Sequence, residues 1–158
     1  GFFEGGNITP TGEFNIFVDP HAARATFECG RPLTVMPLDV THKALMQREW
    51  LEKLKTLNTP VGDATYGMLS FYERHDVEKY GTTGGPLHDP TVIAYLLRPE
   101  LFKGKFVNVE VETHSALAMG MTVMDWWNVT DREPNATVMH SIDADGFFEL
   151  LYERLAKL

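Results

Sequence analysis

The chain has 158 residues, 44% hydrophobic and 23% charged, with 14 Lys and Arg against 22 Asp and Glu for a formal charge of −8. That length and apolar content suffice for one folded domain with a real core, and they exclude a disordered segment. The acidic balance, with no basic cluster, argues against nucleic acid and acidic membrane surfaces, because phosphate binding needs grouped Lys and Arg. A small hydroxylated ligand or a divalent cation fits it better.

Cys29 is the only cysteine, so neither a disulfide framework nor a cysteine-based metal site is expected. No apolar run reaches the ~20 residues of a membrane helix, and no signal-peptide pattern opens the chain. The Asn-X-Thr triplets at Asn7, Asn128 and Asn135 therefore read as chance matches, and the sequence reads as a cytoplasmic protein. It begins Gly1-Phe2-Phe3-Glu4-Gly5-Gly6, inside a glycine-rich loop and without an initiator methionine or a first strand, so a piece of a longer polypeptide is expected.

Residues 1–18 lack helical periodicity; Gly5-Gly6-Asn7 and Thr9-Pro10-Thr11-Gly12 are turn signals, and a short extended stretch is expected around Ile16 to Val18. Asp19-Pro20 predicts a helix with an acid cap and a proline in the first position, an inner face of Ala22, Ala23, Thr26 and Phe27, and an end at Gly30. Leu33 to Met36 is continuously apolar, the pattern of a parallel strand covered on both faces.

After Leu38-Asp39-Val40-Thr41-His42, helices are predicted from about Gln47 to Leu57, with Trp50, Leu51, Leu54 and Leu57 inward, and from Thr59-Pro60 to about Lys79. Tyr66, Leu69 and Phe71–Tyr72 are the expected inward positions of the second, and Gly81 its stop. Residues 81–87 read as a loop, and 89–98 as a helix opened by Asp89 and Pro90 and carrying Val92, Ile93, Tyr95, Leu96 and Leu97. Phe106 to Glu112 alternates apolar and polar, as a strand exposed on one face does. Met121 to Trp127 and Ala136 to Met139 read as antiparallel, peripheral strands joined by a turn at 131–135. A last helix, about Ala144 to Leu158, is expected to bury Phe147, Phe148, Leu151 and Leu155. The order gives an α/β fold with an open, mostly parallel sheet, helices on both faces and a small antiparallel edge.

His88-Asp89 is the first candidate for chemistry. Asp89 as an N-cap beside a satisfied loop histidine is one reading. The other is a carboxylate that binds a cation or sugar hydroxyls, beside an imidazole that donates a proton near neutral pH. Glu13-Phe14-Asn15, following Asn7, combines acceptors and donors suited to paired hydroxyls, against a plain surface loop. Asp39, Thr41 and His42 follow a predicted strand, where open α/β sheets place ligand loops; Thr41 as a helix cap is the simpler reading. His21, His75, His114 and His140 lack zinc spacing, and Trp126-Trp127 and the methionines from Met119 to Met124 read as core.

Taken together, Gly6-Asn7-Ile8-Thr9-Pro10, Glu13-Phe14-Asn15-Ile16, Val18-Asp19-Pro20-His21-Ala22-Ala23, Leu38-Asp39-Val40-Thr41-His42 and Pro86-Leu87-His88-Asp89-Pro90 occur in this order in the nucleoside N-ribohydrolases. The chain thus resembles the C-terminal portion, residues 1–158, of a single inosine-uridine preferring nucleoside hydrolase domain, most like the bacterial pyrimidine-preferring ribonucleoside hydrolases. The family's N-terminal Asp-X-Asp-X-Gly-X-Asp-Asp signature, which supplies most calcium ligands and the base that activates water, has no match here.

The resemblance implies hydrolysis of a ribonucleoside, pyrimidine or purine, to ribose and free base by a calcium-dependent water attack, in a cytoplasmic salvage enzyme that assembles as a dimer or tetramer. It gives Asn7, Glu13 and Asn15 the ribose hydroxyls, Phe14 the sugar pocket and Tyr80 a place near the base. Asp89 becomes a calcium ligand that also contacts ribose, and His88 the histidine near the leaving base. It also implies that the 158 residues alone are inactive. The alternative reading is a non-catalytic fragment that binds sugar or a partner. A parallel-sheet fragment should also expose a strand edge.

Overall fold

The computed structural model describes residues 2–81 and 84–158; the side chains of residues 72–80 lie outside the description. In chain order the elements are α1 (Phe14–Phe17), α2 (Pro20–Phe27), β1 (Thr34–Val35), α3 (Leu38–Thr41), β2 (Leu45–Met46), α4 (Arg48–Lys55), α5 (Pro60–Tyr80), β3 (Gly85–Pro86), α6 (Pro90–Leu97), a 3-10 turn (Pro99–Leu101), β4 (Phe102–Val107), β5 (Val109–Val111), β6 (Thr122–Met124), β7 (Ala136–Ile142) and α7 (Ala144–Leu155). The predicted α/β class is the observed one, with a sheet that contains a parallel pair. The chain divides into two compact units, residues 1–40 with 103–141 and residues 41–102 with 142–158.

In the first unit the sheet order is β1-β7-β4, and β1 runs parallel to β7 with Thr34 opposite Thr137 and Val35 opposite Val138. A separate antiparallel pair sets β5 against β6, Val109 facing Met124 and Val111 facing Thr122. The core joins Phe27 of α2 to Val107, Val109, Val111, Ala136 and Val138. Those valines are the inward half of the predicted alternation, so the period-2 pattern placed them correctly. Asn135 ties the region together: its Oδ1 accepts from Val109 N at 2.8 Å, and its Nδ2 donates to the carbonyls of Val109 at 2.9 Å and Phe27 at 3.3 Å.

In the second unit α4 packs on α5, and α6, the 3-10 turn and α7 pack on one another. Gly62 permits the first contact, since a Cβ there would meet Leu57 Cβ at 2.9 Å and the Leu54 carbonyl at 3.0 Å. Leu51, Leu54, Ala94, Phe102, Phe147, Phe148 and Leu150 are buried. Trp50 stacks on Phe148 at 5.6 Å and Phe102 meets Tyr95 edge-on at 5.7 Å, geometries that suit the ring quadrupole.

Several expectations change. Ile16 belongs to α1, one helical turn that the Glu13 carboxylate caps by accepting from Ile16 N, rather than to an extended stretch. β1 is two residues long and Thr34 is exposed, because β1 stands at the edge of its sheet and is not covered on both faces. Ala22 and Thr26 of α2 are exposed, leaving Ala23 and Phe27 of the expected inner face to anchor it. Residues 85–86 form β3 rather than loop. The strand predicted over 106–112 is two strands broken at buried Asn108, and it begins earlier, at Phe102. β7 is the middle strand of its sheet and not peripheral. Phe71 (66% exposed) and Trp127 (74%) face outward, and in α7 the buried leucine is Leu150 rather than Leu151 or Leu155.

Candidate functional site

The loop from Gly5 to Asn15 is held by its own backbone. Gly6 N donates to the Pro10 carbonyl at 3.0 Å, and the N–H groups of Asn7, Ile8 and Thr9 converge on the Gly12 carbonyl at 3.1, 3.3 and 3.4 Å. A Cβ on Gly6 would collide with the carbonyls of Thr9 and Gly12, so only glycine closes this turn. Asn7 Oδ1 accepts from Phe14 N at 2.8 Å, which fixes the start of α1 against the loop. One Glu13 oxygen accepts from Ile16 N at 3.2 Å. Asn7 and Glu13 are half-buried, while Phe14 and Asn15 are exposed. The structure thus brings Asn7, Glu13, Phe14 and Asn15 into one rigid corner, with Asn7 and Glu13 each also holding backbone there.

The same unit contains a clamp that sequence reading had offered as part of a ligand loop. Asp39, 5% exposed, accepts the backbone N–H groups of Phe2 at 2.9 Å, Phe3 at 2.7 Å and Glu4 at 3.0 Å. Three donors on one carboxylate pin the segment that leads into Gly6-Asn7, and Phe2 stacks on Trp126 at 4.4 Å. Asp39 is therefore a fastening for the corner.

The histidine–acid junction lies in the second unit. β2 and β3 pair antiparallel, Leu45 opposite Pro86 and Met46 opposite Gly85, and Leu87 N continues the ladder to the Ala44 carbonyl at 3.0 Å. Gly84 makes this approach possible: its φ is +155°, and a Cβ there would strike the Met46 carbonyl. The pairing draws the end of α3 to the start of α6, where Thr41 Oγ1 lies 2.8 Å from His88 Nδ1. The His42 ring sits 5.6 Å from the His88 ring, tilted by 57°. The His88 carbonyl accepts from Thr91 N at 3.2 Å and Thr91 Oγ1 at 2.6 Å.

Asp89 stands in the N-cap position without capping. Its φ of −61° and ψ of −39° are already helical, whereas a capping residue is normally extended so that its side chain reaches back to the first turn. The exposed carboxylate is not consumed by the helix, which corrects the capping role given to it. Thr41 closes α3 and uses its hydroxyl on His88, so it is not an N-cap either. That partnership is the feature missed from sequence: the two residues are 47 apart and meet through a two-residue strand pair that carries no periodicity. Tyr80 lies outside the described side chains.

Calcium takes six to eight oxygen ligands. Among the described residues no group of three or more His, Cys, Asp and Glu side chains converges on one point. Asp89 has the right chemistry for one ligand, a hard carboxylate outside the helix's hydrogen bonding, but the described residues do not build a calcium site by themselves. The cavity of about 380 Å³ between α6 and α7 is lined mainly by hydrocarbon, including Ile93, Leu97 and Phe147. Asp89 and Arg154 are the charged groups in its lining. Elsewhere, the Thr130 hydroxyl and Val129 N–H hold the Asp125 carboxyl below the usual range, and the N–H groups of His114 and Ser115 do the same for Glu112.

Fold and local geometry define an α/β chain with a rigid polar corner and a separately fastened histidine–acid junction. Residues 1–149 match the inosine-uridine preferring nucleoside hydrolase family, and the chain belongs to it. It is 49% identical over 152 residues to the pyrimidine-specific ribonucleoside hydrolase RihA of Citrobacter koseri, covering 96% of this chain and 49% of that protein. Among solved structures, it superimposes on the purine-preferring ribonucleoside hydrolase from Gardnerella vaginalis with a TM-score of 0.87 and 28% identity, over 99% of this chain and 50% of that one. The plant nucleoside hydrolase PpNRh1 gives a TM-score of 0.89 and 27% identity, over 100% and 52%. The chain spans about half the length of the curated relatives it matches. Among the described residues, no helix is long and apolar enough to cross a membrane.

Proposed function

We propose that this chain carries the ribose and leaving-group side of a ribonucleoside hydrolase site, and that the whole enzyme cleaves the N-glycosidic bond to ribose and free base. The observation that carries the reading is the junction at α6, where an uncommitted carboxylate at Asp89 follows a histidine fastened at both ring and carbonyl. Family membership supplies the reaction class; the relatives' names include both pyrimidine-specific and purine-preferring enzymes, and the base remains either.

Breaking the bond develops positive charge on the sugar and negative charge on the base. Asn7, Glu13 and Asn15 grip the ribose hydroxyls and favour a ring distorted toward an oxocarbenium-like transition state, with Phe14 against the sugar. His88 donates a proton to the departing base, with Tyr80 near it. Asp89 would serve as one calcium ligand and would also contact a ribose hydroxyl; a bound calcium would supply the lowering of the attacking water's pKa. The remaining metal ligands and the base for that water come from outside these 158 residues. A cytoplasmic salvage role and assembly as a dimer or tetramer belong to the same reading and rest on the family resemblance.

A non-catalytic sugar- or partner-binding module is the second reading, favoured by the missing ligand cluster among the described residues. The purified 158-residue chain, assayed with calcium and uridine or inosine, is expected to release no base. Joined behind the N-terminal half of the Citrobacter koseri relative, it is expected to turn over. No turnover by a folded joined polypeptide favours the binding module; turnover by the chain alone refutes the claim that essential groups lie outside it.

A further inference from the structure

We propose that Thr41 is a positioning residue for His88: its buried hydroxyl holds Nδ1, fixing the ring and directing proton exchange through Nε2. The inference rests on the proposed role of His88 at the leaving base, and it adds a residue to which that role gave no part.

The geometry is specific. Thr41 is 3% exposed, its Oγ1 lies 2.8 Å from Nδ1, and its carbonyl is occupied separately by Ala44 N at 3.0 Å. The hydroxyl is delivered by tertiary structure, through the pairing of β2 with β3 and the Leu87–Ala44 bond. At the other end of His88, Thr91, fully buried, holds the backbone carbonyl. Two threonines thus fix the residue, one at the ring and one at the main chain, while the β-branched Thr41 side chain has few rotamers to lose.

The chemistry explains why a hydroxyl suits this place. An imidazole that transfers a proton needs one nitrogen toward the substrate and the other held by a partner that tolerates both states of the ring. A hydroxyl does so, since it donates to Nδ1 of the neutral ring and accepts from Nδ1–H of the charged one. When the hydroxyl donates to Nδ1 of the neutral ring, the ring's own proton sits on Nε2. A carboxylate would instead favour the charged ring, and a methyl group would leave Nδ1 and the ring angle unset. Holding a reacting group in one orientation lowers the barrier by removing the search for it.

The test reads the ring directly and then its consequence. In long-range proton–nitrogen NMR of the 158-residue chain, neutral His88 is expected in the Nε2–H form. Thr41→Val should mix the two tautomers, and Thr41→Ser should retain the native pattern. In the joined polypeptide, Thr41→Val should lower kcat about tenfold or more, a part of the general-acid contribution, with KM nearly unchanged and with recovery in Thr41→Ser. An Nδ1–H tautomer in the native chain, or identical tautomer mixtures in the Val and Ser variants, overturns the proposal. Unchanged kcat in His88→Ala would instead refute the role of His88 itself, with the tautomer result standing apart.

Discussion

Asn15 and Asp39 show how differently two polar side chains near one loop can act. Asn15 is exposed and makes none of the corner's hydrogen bonds among the described residues, so its proposed work is done on ligand. Asn15→Ala in the joined polypeptide is expected to weaken turnover while leaving the denaturation midpoint within error; a large loss of stability would reassign it to the fold. Asp39 is the reverse case. Asp39→Ala leaves three backbone N–H groups without their carboxylate, and an unmet buried donor costs about 1–3 kcal/mol. Chemical denaturation should show a loss of at least that order, and a change below about 0.5 kcal/mol, the usual surface value, would mean that the clamp contributes nothing.

The short strands matter more to the site than the long helices. α2, α4 and α6 were legible because caps, prolines and apolar spacing are local signals; Gly81 as the stop of α5 was legible too, and its φ of +63° bears it out. The valines of β4 and β5 were legible from alternation. β1, β2 and β3 are two residues each, too short to show a period, and the central position of β7 depends on Thr34 and Val35 pairing with it from about a hundred residues away. Asp89 misled for a different reason: its identity and its proline neighbour fit a cap, and only its helical backbone shows that it does not cap.

The β2–β3 pair yields its own prediction. Gly84→Ala is strained by φ of +155° and by the Met46 carbonyl, at a cost of about 1–3 kcal/mol. It should also shift the His88 ring resonances, because the bridge carries Thr41 to that ring. A variant with unchanged stability and unchanged His88 signals would show that the bridge does not set the junction.

Beside β6, Asp125 anchors the turn at Asn128 to Thr130. Oδ1 accepts from Val129 N at 2.8 Å, and Oδ2 from Thr130 N at 2.8 Å and Thr130 Oγ1 at 2.6 Å. The folded carboxyl is held low by these donors, so its contribution is present above the unfolded aspartate value and lost as pH falls through the folded one. The amide signals of Val129 and Thr130 should therefore stay fixed until below the usual aspartate range. Titration within that range would contradict the anchoring.

Among the described residues, the helix face of Val92, Ile93, Leu96 and Leu97 is exposed, and β1 and β4 stand at the two edges of their three-stranded sheet. The chain spans about half the length of the relatives it matches, and among the described residues no group of three or more His, Cys, Asp and Glu side chains could hold a metal. Under the proposed function the polar corner and the junction act together with groups from outside these residues. The most direct test is base release from uridine by the folded joined polypeptide, with His88 intact and as His88→Ala. The account predicts turnover that falls about a hundredfold to ten-thousandfold in kcat, the range of a lost general acid, with KM little changed. Equal kcat in the two folded proteins would contradict it.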